Sequence, residues 1–129
     1  VASGGEVSRI ALALKTIFRE GGTDRTVIFD EIDVGVSGQT GLQVAAHIGK
    51  LGRTGQVFCI THLPQTAAIA GSHFSLRKEE RDGRTVTAVR ELDKTAHVAE
   101  IARMFSGNDT TEAGLRAAAE LIKKVKSDD

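Results

Sequence analysis

The sequence predicts an α/β fold with parallel strands, a β-hairpin and flanking helices, and three observations carry that expectation. Two apolar runs, Thr26-Val27-Ile28-Phe29 and Val57-Phe58-Cys59-Ile60, are too short and too uniformly apolar for amphipathic helices. They read as buried strands of a parallel sheet covered on both faces. Between them, from Gly38 to Leu51, the residues Leu42, Ala45, Ile48 and Leu51 recur at helical spacing. A strand, a helix and a second strand in that order make a unit whose crossover is expected to be right-handed.

Other elements follow along the chain. From Glu6 to Phe18, Val7, Ile10, Ala11, Leu12, Leu14 and Phe18 recur at helical intervals until Gly21-Gly22 stops the helix. After Pro64 a short helix runs through Ile69 and ends at Gly71. Two alternating runs come next, Phe74 to Lys78 and Thr85 to Leu92. Asp82-Gly83 between them predicts a hairpin, because both residues tolerate the positive φ of a type I′ turn. The tail returns to helix from about Thr95 to Phe105 and from about Thr110 to Val125, with Asp109 and Glu112 spaced as a capping pair. Only Lys123 to Asp129 is expected to fray. No internal repeat or low-complexity linker divides the chain, and residues 1–129 are expected to form one domain.

Composition narrows the function classes. An apolar content of 40% supports a core, yet no apolar stretch approaches the roughly 18 residues that span a bilayer. The first residues carry no basic and apolar leader pattern, so a cytoplasmic, nucleoid-associated location is the expectation. Cys59, the single cysteine, sits inside a strand-like run, where a thiol acts as a small core hydrophobe. Lysine plus arginine balance aspartate plus glutamate at 17 each. A compact nucleic-acid-binding domain more often shows a basic excess. With no Trp, no Tyr and five Phe, there is also little to stack on bases. The run Arg77-Lys78-Glu79-Glu80-Arg81-Asp82 is mixed in sign and reads as a solvated strand end and turn.

Three short motifs carry candidate chemistry. Ser3-Gly4-Gly5-Glu6 has the S-x-x-E spacing of a capping box. Its two glycines also let a backbone approach a phosphate at a helix start, where the dipole favours an anion. Asp30-Glu31 ends a buried strand, at the edge where open α/β sheets place ligands. Adjacent carboxylates there either begin a solvated loop or serve Mg²⁺ and an attacking water. Asp33 adds a third carboxylate of open role. Thr61-His62 ends the next strand, which puts His62 beside Glu31 at the same edge, where an imidazole can hydrogen-bond a phosphate or orient a water. His47, His73 and His97 fall on a helix face, a strand start and a helix start, positions suited to structural or solvent roles.

Taken together, these segments resemble the carboxy-terminal lobe of ABC-type P-loop ATPase heads of the SMC and double-strand-break repair kind, most closely the bacterial DNA-repair branch. The likeness runs through Ala2-Ser3-Gly4-Gly5-Glu6 with Ser8-Arg9-Ile10, through Phe29-Asp30-Glu31-Ile32-Asp33-Val34-Gly35-Val36-Ser37-Gly38, through Thr61-His62-Leu63-Pro64-Gln65, and through Glu100-Ile101-Ala102-Arg103-Met104. Glu6 and Ile32 stand where transporter ATPases usually have Gln and Pro, which disfavours a transporter subunit. Ala2 replaces the usual Leu of the signature.

The resemblance implies ATP and Mg²⁺ as cofactors and a homodimer of heads around two ATP molecules, with no membrane partner. On that basis Ser3, Gly4, Gly5 and Glu6 form the signature that contacts ATP in trans, Asp30 orders Mg²⁺, Glu31 is the general base and His62 senses the γ-phosphate. Ser37 and Gly38 occupy the D-loop. The D-loop Asp of related heads aligns with Ser37, so an Asp-mediated dimer contact does not carry over. DNA is expected to engage the full-length protein in double-strand-break repair and recombination. An SMC-type chromosome-organising head and a nucleotide-dependent dimerisation module without useful hydrolysis are the alternatives. No G-x-x-x-x-G-K-[ST] run occurs between Val1 and Asp129. The Walker A lobe and coiled coil are therefore expected outside this sequence, and the chain alone is expected to neither bind ATP tightly nor hydrolyse it.

The signature assignment predicts that Ser3→Arg in the full-length protein blocks ATP-dependent head dimerisation while each P-loop still binds nucleotide. Sizing chromatography with and without ATP checks this, and unimpaired closure contradicts the assignment.

Overall fold

A computed structural model describes residues 13–14, 26–107 and 110–127. The signature residues Ser3, Gly4, Gly5 and Glu6, most of the first helix, Gly21-Gly22 and Asp109 lie outside the described residues. Of the first helix, Ala13 and Leu14 are described and helical, and Leu14 is buried against Phe29 and Leu51.

The elements run β1 (Thr26–Asp30), α1 (Gly38–Thr54), β2 (Gln56–Ile60), α2 (Pro64–Ile69), β3 (Phe74–Arg81), β4 (Arg84–Glu91), α3 (Lys94–Ser106) and α4 (Glu112–Ser127). β1 and β2 pair in parallel, with Thr26 opposite Gln56 and Asp30 opposite Ile60. β3 and β4 form an antiparallel hairpin from Phe74 opposite Glu91 to Arg81 opposite Arg84. Asp82 and Gly83 take φ of 50° and 71°, the left-handed pair that a type I′ turn requires.

Strand burial differs from the sequence expectation. Side chains alternate across a strand, and the described residues cover only one face of the parallel pair. Val27, Phe29, Val57 and Cys59 pack with Leu14 and Leu51, and Val57 and Cys59 also meet Val36, Val44 and Ile48. On the other face Ile28 is 66%, Phe58 48% and Ile60 51% exposed. Apolar runs of this length signal burial on both faces only where a second layer lies over the sheet, and among the described residues no such layer covers Ile28, Phe58 and Ile60.

The second core is helical. Ala67, Ala68, Ile101, Ala102, Ala118 and Val125 form one cluster, joined by Leu121 and Ile122. Ala118, Leu121, Ile122 and Val125 recur on one stripe of α4, the spacing that aims a helical face at a core. Alanines at these contacts let α2, α3 and α4 approach closely. The caps are short-range: the Asp93 carboxylate accepts from the Ala96 amide at 2.8 Å to start α3, and the Thr111 hydroxyl accepts from the Gly114 amide at 3.0 Å to start α4.

Polar contacts tie the hairpin to α3. Glu100, buried at 8% exposure, receives Arg77 of β3 at 3.0 Å and Arg103 of its own helix at 2.6 Å. His73, just before β3, sets its Nδ1 2.8 Å from Nδ1 of His97 in α3. The rings meet edge to face. Burial holds both imidazoles below their ordinary value, and a hydrogen bond at this contact has one Nδ1 donating and the other accepting. Arg81 and Arg90 both reach Glu79 at 3.0 Å, which accounts for the mixed charge run as an exposed network.

Glu100 supplies a stability prediction. Hydrogen bonds from Arg103, then its charge and those from Arg77, lower the Glu100 carboxyl pKa against an opposing desolvation. A depressed folded value contributes stability that is complete above the unfolded glutamate value of about 4.3 and is lost as pH falls through the folded value. Glu100→Gln should therefore destabilise the fold by about 1–3 kcal/mol at neutral pH. It should also flatten the loss of stability below pH 5, as measured by urea unfolding across pH.

Candidate ATPase site

Parallel pairing places the ends of β1 and β2 side by side, and each end carries site residues. β1 closes on Asp30, and Glu31 follows in the left-handed region at φ 49°, a conformation that costs a non-glycine residue about 1–3 kcal/mol. The Glu31 amide still donates to the Ile60 carbonyl at 2.9 Å, extending the ladder one residue beyond the strands. Two turns follow: the Val34 amide donates to the Glu31 carbonyl at 3.2 Å and the Val36 amide to the Asp33 carbonyl at 3.1 Å. Gly35, at φ 77°, lets the chain reverse into α1.

The structure brings Glu31 and His62 together, as the sequence expects of neighbouring strand ends. His62 Nε2 lies 3.0 Å from Glu31 Oε1, with the two side chains 86% and 48% exposed. Asp30 is exposed at the same edge. Ser37 precedes α1 in extended conformation with no side-chain capping bond, and Gly38 takes φ 57° with open space where a Cβ would stand. Ser37 and Gly38 are both exposed. His47 bonds its own helix through the Gln43 carbonyl, and His73 and His97 pair with each other. His62 alone of the four histidines stands at this edge.

Two arrangements escaped the sequence reading. Asp33 is buried at 4% exposure and accepts a hydrogen bond from the Thr61 hydroxyl. The same Thr61 oxygen accepts from the Leu63 amide at 2.8 Å. A Thr immediately before the strand-end His is the only signal that could have suggested this pairing. The second is Gly41 of α1, where an added Cβ would sit 3.1 Å from Leu63 Cδ2 and 3.3 Å from Gln65 Cδ. A side chain there would make the Leu63 and Gln65 side chains give way by a few tenths of an ångström.

Asp30 and Glu31 are hard oxygen donors, and Mg²⁺ is held by one or two carboxylates with phosphate oxygens and waters completing the shell. Among the described residues no group of three or more His, Cys, Asp and Glu side chains could hold a metal ion alone. None of the helices among the described residues is long and apolar enough to cross a membrane.

The fold is that of an α/β lobe like the one found in SMC-type ATPase heads. A solved SMC ATPase, described for ATP-driven dimerization and DNA stimulated activation, matches 84% of this chain and 65% of its own with a TM-score of 0.63 at 20% identity. In sequence the chain is RecN-like over nearly its whole length. It is 49% identical over 125 residues to the DNA repair protein RecN of Bacillus subtilis, covering 97% of this chain. It is 47% identical over 122 residues to RecN of Deinococcus radiodurans and 42% identical over 122 residues to that of Vibrio cholerae. The chain spans about 22% of the length of the Bacillus subtilis protein. No protein-family model matches it.

Cys59 borders this site on the covered face. Burial, with a further push from the Asp33 charge, raises its thiol to about 11, so at pH 8 only about one in a thousand is the reactive thiolate. Alkylation by iodoacetamide at that pH should be at least about a hundredfold slower than for a free cysteine, as read by mass spectrometry, and rapid labelling would show that the thiol is not shielded as described.

Proposed function

We propose that the chain is the signature and Walker B lobe of a RecN-like ATPase head that acts in DNA double-strand-break repair and recombination. The observation that carries this reading is the Glu31–His62 pair, 3.0 Å apart at the carboxyl edge of the parallel strands, in a chain of RecN-like sequence. An exposed carboxylate beside an imidazole can take a proton from water while the imidazole holds a phosphate oxygen or the water itself.

The reaction is attack of water on the γ-phosphorus of ATP. The new O–P bond forms as the bond to the bridging oxygen breaks, the proton passes to Glu31, and ADP and phosphate leave. When bound through Asp30, Mg²⁺ would neutralise charge on the phosphate oxygens. Ser3, Gly4, Gly5 and Glu6 would face the nucleotide of a partner head, and Ser37 and Gly38 would lie along the same dimer seam. Two heads thus close around two ATP molecules, and DNA engages the full-length cytoplasmic protein rather than this charge-neutral lobe. The chain alone, without a P-loop run, is inactive in this scheme. Similarity to RecN at 40–49% identity favours it over an SMC-type chromosome-organising head.

The carboxylates are separable by experiment. In the full-length protein Glu31→Gln keeps size and hydrogen bonding but removes the base, which commonly costs about 10²- to 10⁴-fold in rate. That variant should bind ATP and accumulate as closed head dimers, whereas Asp30→Asn should weaken Mg²⁺-dependent nucleotide binding. Steady-state phosphate release and nucleotide titration read the two effects, and wild-type turnover by Glu31→Gln overturns the proposal.

A further inference from the structure

We infer that Asp33 and Thr61 are positioning residues, a buried latch that fixes the loop carrying His62 against the loop carrying Glu31. The inference rests on the ATPase reading above. Its starting point is that neither His62 nor Glu31 is held by packing: their side chains are 86% and 48% exposed. A solvent-exposed contact of this kind contributes about 0–1 kcal/mol, too little to set its own geometry, so the backbone beneath must set it.

Thr61 and Asp33 make that connection. Thr61 directly precedes His62, and Asp33 lies two residues after Glu31. The Thr61 hydroxyl donates its proton to Asp33 Oδ2, and its oxygen accepts from the Leu63 amide at 2.8 Å. One hydroxyl therefore grips both neighbours of His62 and ties them to the Glu31 loop. Asp33 is braced in turn by the Val36 amide on its carbonyl at 3.1 Å. Behind the His62 loop, Gly41 admits Leu63 and Gln65 against α1.

The choice of residue supports a positioning role. A buried carboxylate is a costly acceptor for one hydroxyl, since desolvating the charge opposes the hydrogen bond. Its field also reaches Cys59, whose thiol it helps to raise. The strong, directional bond of a charged acceptor is what a fixed loop geometry gains from that cost.

The test uses the full-length ATPase. Thr61→Val keeps the shape and removes the hydroxyl, and Thr61→Ser restores it. Thr61→Val should lower kcat by about ten- to a hundredfold, the scale of a small misplacement of a catalytic group, with KM for MgATP within about twofold. Thr61→Ser should recover most of kcat. His62→Ala should lower kcat in the wild-type background but add little to Thr61→Val, because the latch acts through His62. Should the valine variant not fold, the same cycle runs with Asp33→Asn, which weakens the acceptor without emptying the site and should show a smaller, equally non-additive loss. Wild-type kcat in Thr61→Val, no recovery by serine, or losses that add with His62→Ala overturn the latch. Failure of the ATPase reading itself shows separately, as unchanged turnover in Glu31→Gln.

Discussion

The parallel register of β1 and β2 is the constraint on which the rest of the molecule depends. With Thr26 opposite Gln56 and Asp30 opposite Ile60, the apolar residues Val27, Phe29, Val57 and Cys59 all fall on the face that α1 covers. A slip of one residue would turn that set outward, because side chains alternate with a period of two. It would also move His62 along the edge by about 3.3 Å relative to Glu31, more than the hydrogen bond between them can span. Core formation and site assembly are thus one event: the burial that fixes the register also sets the edge.

Around this pair the molecule divides its labour. The alanine-lined cluster of α2, α3 and α4 is held by close apolar packing, and the hairpin carries little of that core, with Leu76 and Val89 largely exposed. What holds the root of the hairpin is polar: the Arg77–Glu100–Arg103 group and the His73–His97 contact. An isolated two-stranded hairpin is marginal in water, so these links to α3, centred on the buried Glu100, do for β3 and β4 what side-chain burial does for β1 and β2.

Much of this was legible in the sequence because it is local. Helical spacing marked α1, α3 and α4, and Asp82-Gly83 gave the turn that the positive φ values require. Glu31 and His62 were legible as neighbours because both end strands of one strand-helix-strand unit. Three things were not. One-sided burial of Ile28, Phe58 and Ile60 is invisible in an apolar run, which states preference for burial but not what supplies it. The Thr61–Asp33 bond and the His73–His97 contact join residues 28 and 24 apart, and no periodicity signals a single polar contact across that distance. The Thr111 cap of α4 was not singled out because many residue types near a helix start can cap it and only the backbone decides.

Two carboxylate pairs show how burial assigns the same chemistry to different tasks. Glu100 meets Arg77 and Arg103 with 10% of its side chain exposed. There a charged hydrogen bond is screened little, and losing one partner strands a buried charge, so the group is fixed in the fold. Glu31 meets His62 at a similar distance, but both side chains lie largely in water, where such a pair adds almost nothing to stability. Separating the two therefore costs almost nothing either. A phosphate or a water can enter between them without unfolding anything, provided the backbone holds both groups in place, and that backbone includes a left-handed Glu31 and a buried Asp33 that stability alone would not select. The molecule keeps its charged hydrogen bonds on a buried carboxylate where structure needs them and leaves the Glu31–His62 contact open to water.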